Sequence, residues 1–138
     1  MRTRKKWMIL TAFVSIFVLA ASTGIRGILV PNFIDSFGVT DGQIGLLFTA
    51  TTFFSVFAIY YGSQWGERFG LRKMILLSQL LSGALFLAAS QIESFTLFVI
   101  GYSLIQFCVS VLIISLNTMA TVIEVRFPAI LVSLVHFF

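Results

Sequence analysis

Few side chains in this 138-residue chain could take part in chemistry, and they lie in strongly apolar sequence. The chain holds five acidic residues, one histidine and one cysteine. They form no nucleophile–base pair, no metal-ligand cluster and no phosphate-binding loop. Histidine side chains can exchange a proton near neutral pH, but a lone histidine in an apolar stretch, such as His136, is typical of a hydrogen-bonded structural residue. We therefore expect no catalytic residues, no metal site and no cofactor, and predict that the protein is not an enzyme.

Polar residues recur at helical spacing in two apolar segments, and these are the better candidates for binding. At 100° per residue, each set forms a line along one helix. The first line is Thr11, Ser15, Ser22 and Arg26, and the second is Gln106, Ser110, Asn117 and Thr121. A polar line is costly against lipid, so each is expected to face protein or a water-filled cavity. The predicted substrate-pathway candidates are Arg26, Gln106, Asn117 and His136.

Two interpretations stay open for the larger polar side chains. The amides of Gln106 and Asn117 either line a cavity or form interhelical hydrogen bonds. Arg26 lies close to Pro31, where we expect the first helix to end. Its side chain therefore either snorkels to the outer interface or serves an anionic substrate or a gate. The third apolar segment adds a short polar cluster, Ser78, Gln79 and Ser82.

The elements that carry these residues must be membrane-spanning helices. The chain is 59% hydrophobic and only 10% charged, whereas a soluble domain has about 25% charged residues. This composition excludes a soluble globular enzyme. The net charge of +4 brings no basic face with interleaved aromatic residues, so we expect no nucleic-acid partner. We predict an all-α integral membrane protein whose main surroundings are the lipid bilayer.

Four uncharged segments are each long enough to cross a bilayer, which takes roughly 20 helical residues. The predicted helices cover about 7–30, 41–65, 73–92 and 94–122, and a truncated fifth covers 128–138. Thr40 and Gln43 form a capping-box pattern at the start of the second helix. Because the fifth helix spans about half a bilayer, we expect residues 1–138 to be an incomplete N-terminal bundle. A signal peptide is the alternative for the first segment, which exceeds the usual length of about 7–15 apolar residues.

Lysine and arginine fall almost entirely on one side of this predicted bundle. Eight of the nine lie in the N-terminal tail, in the loop after the second helix or after the fourth, and only Arg26 lies toward the other side. The positive-inside rule therefore predicts a cytoplasmic N-terminus. We expect the protein to be located in a bacterial plasma membrane.

The loop between the second and third helices resembles the signature loop of the major facilitator superfamily, G-x-x-x-D-R-x-G-R-[KR]-[KR]. Four positions match, namely Arg68, Gly70, Arg72 and Lys73. Glu67 replaces the family's Asp, Ser63 stands at the first Gly (Gly62 is one position early), and Leu71 replaces an Arg.

In that family the acidic loop residue faces the C-terminal half and helps to hold the outward-facing state. The resemblance therefore implies a conformational latch made of Glu67, Arg68, Gly70, Arg72 and Lys73. It also makes Glu124 the expected charge partner of Arg72 or Arg68.

The end of the chain also resembles this superfamily. The pattern from Asn117 through Phe127-Pro128 to Leu134-Val135-His136-Phe137-Phe138 is similar to the junction of helices four and five in members near the fucose-permease-like branch. The resemblance implies a twelve-helix fold with inverted three-helix repeats, which moves a small solute by alternating access. The missing C-terminal half would then be a partner of this chain, and the fragment alone would be inactive.

Proton symport in the sugar-transporting branch uses carboxylates within helices one and four. Here the apolar segment 7–25 of the first helix contains no carboxylate, and the fourth helix contains none before Glu124. The sequence therefore identifies neither a proton-carrying residue nor a substrate. The alternative is a complete four-helix membrane protein with an oligomeric structural or partner-binding role. Small exporters built in that way generally need an embedded carboxylate for coupling.

Overall fold

The computed structural model describes residues 2–126, apart from the side chains of residues 2–6, 8, 9, 29, 33, 124 and 126. His136 and the predicted fifth helix therefore lie outside the described residues. The described part contains four helices and no strand, which are α1 (Arg2–Phe37), α2 (Asp41–Phe69), α3 (Leu71–Ala89) and α4 (Phe95–Arg126). By length and composition, each contains a segment able to cross a membrane. The all-α membrane class is thus confirmed.

The predicted end of the first helix at Pro31 is wrong, because α1 continues through this residue to Phe37. Proline removes one backbone hydrogen bond, but membrane helices tolerate it where neighbouring elements support the chain. Here the last turns of α1 are held by aromatic packing on α4. The ring of Phe37 lies 5.9 Å from that of Phe95 and 5.3 Å from that of Phe98, measured between centroids.

The start of α2 has the capping pattern that the sequence indicates. The Oε1 atom of Gln43 accepts a hydrogen bond from the backbone N–H of Thr40 at 2.9 Å, and the Thr40 hydroxyl lies 3.2 Å from the same oxygen. Both halves of the capping box are formed. This arrangement satisfies backbone donors that the first turn of a helix leaves without partners.

A single residue, Gly70, connects α2 to α3. Its φ of +91° lies in a region that residues other than glycine rarely adopt. Its N–H donates to the Gly66 carbonyl at 3.0 Å, and its own carbonyl accepts from the N–H groups of Lys73 and Met74. Gly70 therefore closes one helix and opens the next.

The fourth helix is the centre of the bundle and packs mainly against α2 and α3, with a smaller contact to α1. Ala12 near the start of α1 clusters with Leu116 and Ile123 near the end of α4, whereas the end of α1 meets the start of α4. These contacts show that α1 and α4 are antiparallel.

Candidate functional site

Arg26 is the one charged side chain that the described structure buries, with 8% of its surface exposed. It lies in the C-terminal half of α1, on the line that also carries Ser15 and Ser22. In a helix, long side chains point back toward the N-terminus. The guanidinium therefore lies over the turn of Ser22 and reaches the interior of the bundle. Both interpretations of Arg26, snorkelling to the interface and a role in substrate binding or gating, stay predictions.

The guanidinium of Arg26 is surrounded by neutral acceptors. Its Nε donates to the Ser22 carbonyl at 3.1 Å. Its Nη2 donates to the hydroxyl oxygens of Ser22 and Thr23 at 3.4 and 3.3 Å. Its Nη1 donates to Oε1 of Gln106 on α4 at 3.4 Å. Three of these four distances exceed the usual range of about 2.7–3.2 Å for N–H···O bonds.

No carboxylate whose side chain the structure describes pairs with Arg26. The four such acidic residues, Asp35, Asp41, Glu67 and Glu93, are all exposed. Within the described side chains, Arg26 is therefore a buried cation with hydrogen-bond acceptors but without a counter-ion.

A cavity of about 150 Å³ lies beside Arg26, between α1, α3 and α4. Its polar lining comes from Ser22 and Arg26 on α1 and from Gln79 and Ser82 on α3, and most of its remaining lining is aliphatic or aromatic. A concave site with mainly apolar walls and a few convergent polar groups is typical of small-molecule binding sites.

The predicted pathway residues are only partly brought together. Arg26 and Gln106 are in contact, because the C-terminal end of the α1 line meets the N-terminal end of the antiparallel α4 line. Asn117 is exposed farther along α4 and does not line the cavity, so its role stays a prediction. His136 lies outside the described residues.

The predicted latch residues lie at the junction of α2 and α3. Glu67 and Arg68 occupy the last turn of α2, Arg72 and Lys73 occupy the first turn of α3, and all four side chains are exposed. The guanidinium carbon of Arg68 lies 5.7 Å from the centroid of the Phe69 ring. The side chain of Glu124, the expected charge partner, lies outside the described part of the chain.

Two cavity residues, Gln79 and Ser82, are missing from the predicted pathway set. Their signal was the polar cluster in the otherwise apolar third segment, where residues three apart share a helix face. In the structure the Ser82 hydroxyl donates to the Gln79 carbonyl at 3.0 Å, and both side chains are half-buried. The predicted pathway set took residues from the first and fourth helices and His136 from the predicted fifth, and so it omitted this third wall.

Gly62 on α2, one position before the first glycine expected in the signature loop, lies where α2 packs against α4. A Cβ placed there would lie 3.4 Å from Cγ2 and 3.5 Å from Cα of Val111 on α4. The absence of a side chain therefore allows the two helix backbones to approach closely, as small residues do in membrane helix pairs.

Comparison with protein families identifies one match, to the family model described as Major Facilitator Superfamily, over residues 11–123. Comparison with curated proteins finds no significant match. Comparison with solved structures also finds none. The family match includes residues of all four helices but does not distinguish between branches of the superfamily. The likeness to fucose-permease-like members therefore stays a prediction. The chain therefore belongs to the major facilitator superfamily of membrane transporters.

Proposed function

We propose that the chain is the N-terminal part of a secondary transporter that moves a small solute by alternating access. In this proposal the solute path runs along the cavity between α1, α3 and α4. The observation that carries the proposal is the Arg26–Gln106 contact, which joins the polar lines of two antiparallel helices beside that cavity. Inverted repeats place substrate sites between matching helices in this way.

The junction of α2 and α3 has the role of a latch in this proposal. Glu67 is exposed in the last turn of α2, where its carboxylate is accessible to a group outside the described chain. The excess of Lys and Arg at this end supports a cytoplasmic location for it and for the N-terminus. The remaining helices of the twelve-helix fold would supply the facing half of the path.

Alternating access can be tested without knowing the substrate. We suggest introducing Ser82→Cys into the full-length protein, in a background without other cysteines in which Cys108 is alanine. A membrane-impermeant thiol reagent is then applied to right-side-out and to inside-out vesicles. Because the proposed path opens to each side in turn, Ser82→Cys is expected to react from both.

The matched control is Leu80→Cys, which lies on the same helix with 73% of the leucine surface exposed on the outside of the bundle. Leu80 does not line the cavity, so the hydrophilic reagent is expected to reach this position from neither side, whether lipid or another helix covers it. Reaction of Ser82→Cys from one side only, or from neither, would contradict alternating access along this cavity.

A further inference from the structure

We propose that the cavity between α1, α3 and α4 binds a small organic anion whose carboxylate pairs with the guanidinium of Arg26. This inference rests on the proposed function, since it names the class of solute for the same site. It adds what membership of the superfamily leaves open, namely the charge and size of the solute.

The first argument is the charge of the site. A buried cation in a membrane protein normally faces a counter-ion or a water-filled cavity. Arg26 is buried beside a cavity, and no described carboxylate pairs with it. Its nearest partners, on Ser22, Thr23 and Gln106, are neutral oxygens. The missing negative charge is therefore assigned to the solute.

The second argument is geometric. A guanidinium offers five N–H donors in a planar fork that fits a carboxylate through two parallel hydrogen bonds. Both Nη atoms of Arg26 make only long contacts of 3.3–3.4 Å. A carboxylate in the cavity would offer them shorter, charge-assisted bonds. Gln79 and Ser82 on the facing wall add polar groups for a hydroxyl or carbonyl substituent.

The third argument is size and polarity. The cavity of about 150 Å³ is smaller than the range of about 300–1,000 Å³ that is usual for sites of drug-sized ligands. Away from Arg26 its lining includes Leu19, Phe86, Ile105 and Leu112, which offer an apolar surface. These walls fit a short hydrocarbon body better than a fully hydrated inorganic ion. Short monocarboxylates are the class of solute that fits both the guanidinium of Arg26 and the apolar walls.

The test measures protection of Ser82→Cys in the full-length protein from the same thiol reagent. Acetate and lactate are compared with their neutral amides, acetamide and lactamide, at ~10 mM, above the usual KM range of about 1 μM–1 mM. The carboxylates are expected to slow modification and the amides are not. Arg26→Gln is expected to raise the half-protecting concentration about tenfold or more, because a charge-assisted hydrogen bond is lost.

Two further arms keep the result interpretable. Arg26→Lys retains the positive charge but lacks the planar guanidinium, so it is expected to restore part of the protection. It replaces Arg26→Gln where that variant does not fold. Inorganic phosphate and sulfate report whether any anion suffices. Equal protection by amides, by inorganic anions or in Arg26→Gln would overturn the inference. Absence of carboxylate protection, with Ser82→Cys still reactive from both sides, would overturn it while leaving alternating access intact.

Discussion

At the scale of single residues, the burial of Arg26 decides what the site can do. Its neighbours are oxygens of hydroxyl, carbonyl and amide groups, which solvate a cation but do not neutralise it. Gln106 supplies the only hydrogen bond described for Arg26 that crosses to another helix. Substitutions of Gln106 should therefore alter both the stability of the α1–α4 contact and the affinity of the cavity for an anion.

We predict that Gln106→Glu is more stable than Gln106→Leu by about 1.5–3 kcal/mol, the range for hydrogen bonds to charged groups. The glutamate would bring a carboxylate to Arg26, whereas leucine would remove its interhelical acceptor. Thermal unfolding of the purified full-length variants measures this difference. Gln106→Glu should also abolish protection by acetate, because the site then carries its own anion. Equal melting temperatures for the two variants would contradict this account of Arg26.

Gly70 is a second position where a single side chain is expected to change the stability of the protein. We expect Gly70→Ala to destabilise the protein by about 1–3 kcal/mol, because its φ of +91° is strained for any side chain. The control is Gly24→Ala in α1, where a Cβ meets no atom within 4 Å and the melting temperature should not fall. A Gly70→Ala protein as stable as the control would refute the strain argument.

At the scale of helices, the sequence predicts which segments cross the membrane but not how each one ends. Long uncharged segments identify the spans because every backbone polar group in lipid must be paired within a helix. The predicted end of α1 at Pro31 is wrong because it rested on the local rule that proline ends a helix. The contacts of Phe37 with α4, which are remote in sequence, extend the helix instead.

The candidate site was predictable to a similar degree. Helical periodicity correctly aligned Arg26 with Ser22 and predicted that this side faces inward. It could not show that Gln106 would be the residue opposite, because this depends on the relative height of α1 and α4 in the bundle. It also gave no means to choose α3 as the third wall, since tertiary packing decides which helices surround a cavity.

The close approach of α2 and α4 can be tested at Gly62. We predict that Gly62→Leu costs about 1–3 kcal/mol, the usual cost of overpacking, because its side chain would meet the backbone of Val111. Gly45→Leu is the matched control on α2, since a Cβ there meets nothing within 4 Å. Loss of monodisperse protein in size-exclusion chromatography, together with a lower melting temperature, reports the effect. A response at Gly62 no larger than at Gly45 would show that the helices are not in close contact.

At the scale of the whole molecule, the charge distribution predicts the orientation in the membrane. The α2–α3 junction and the α3–α4 connection lie at opposite ends of α3. We expect Glu93→Cys to react with a membrane-impermeant thiol reagent on intact cells, and Lys73→Cys to react only after the membrane is opened. The same cysteine-free background serves both variants. The reverse pattern would place the N-terminus outside.

The single-residue connection at Gly70 also limits how the bundle can move. One residue spans at most about 3.6 Å, so the adjoining ends of α2 and α3 cannot separate during a conformational change. A displacement of the first turn of α3 must therefore displace the last turn of α2 as well, including Glu67. A change in the tilt of α3 therefore pivots about Gly70, beside the exposed side chains of Glu67 and Arg72.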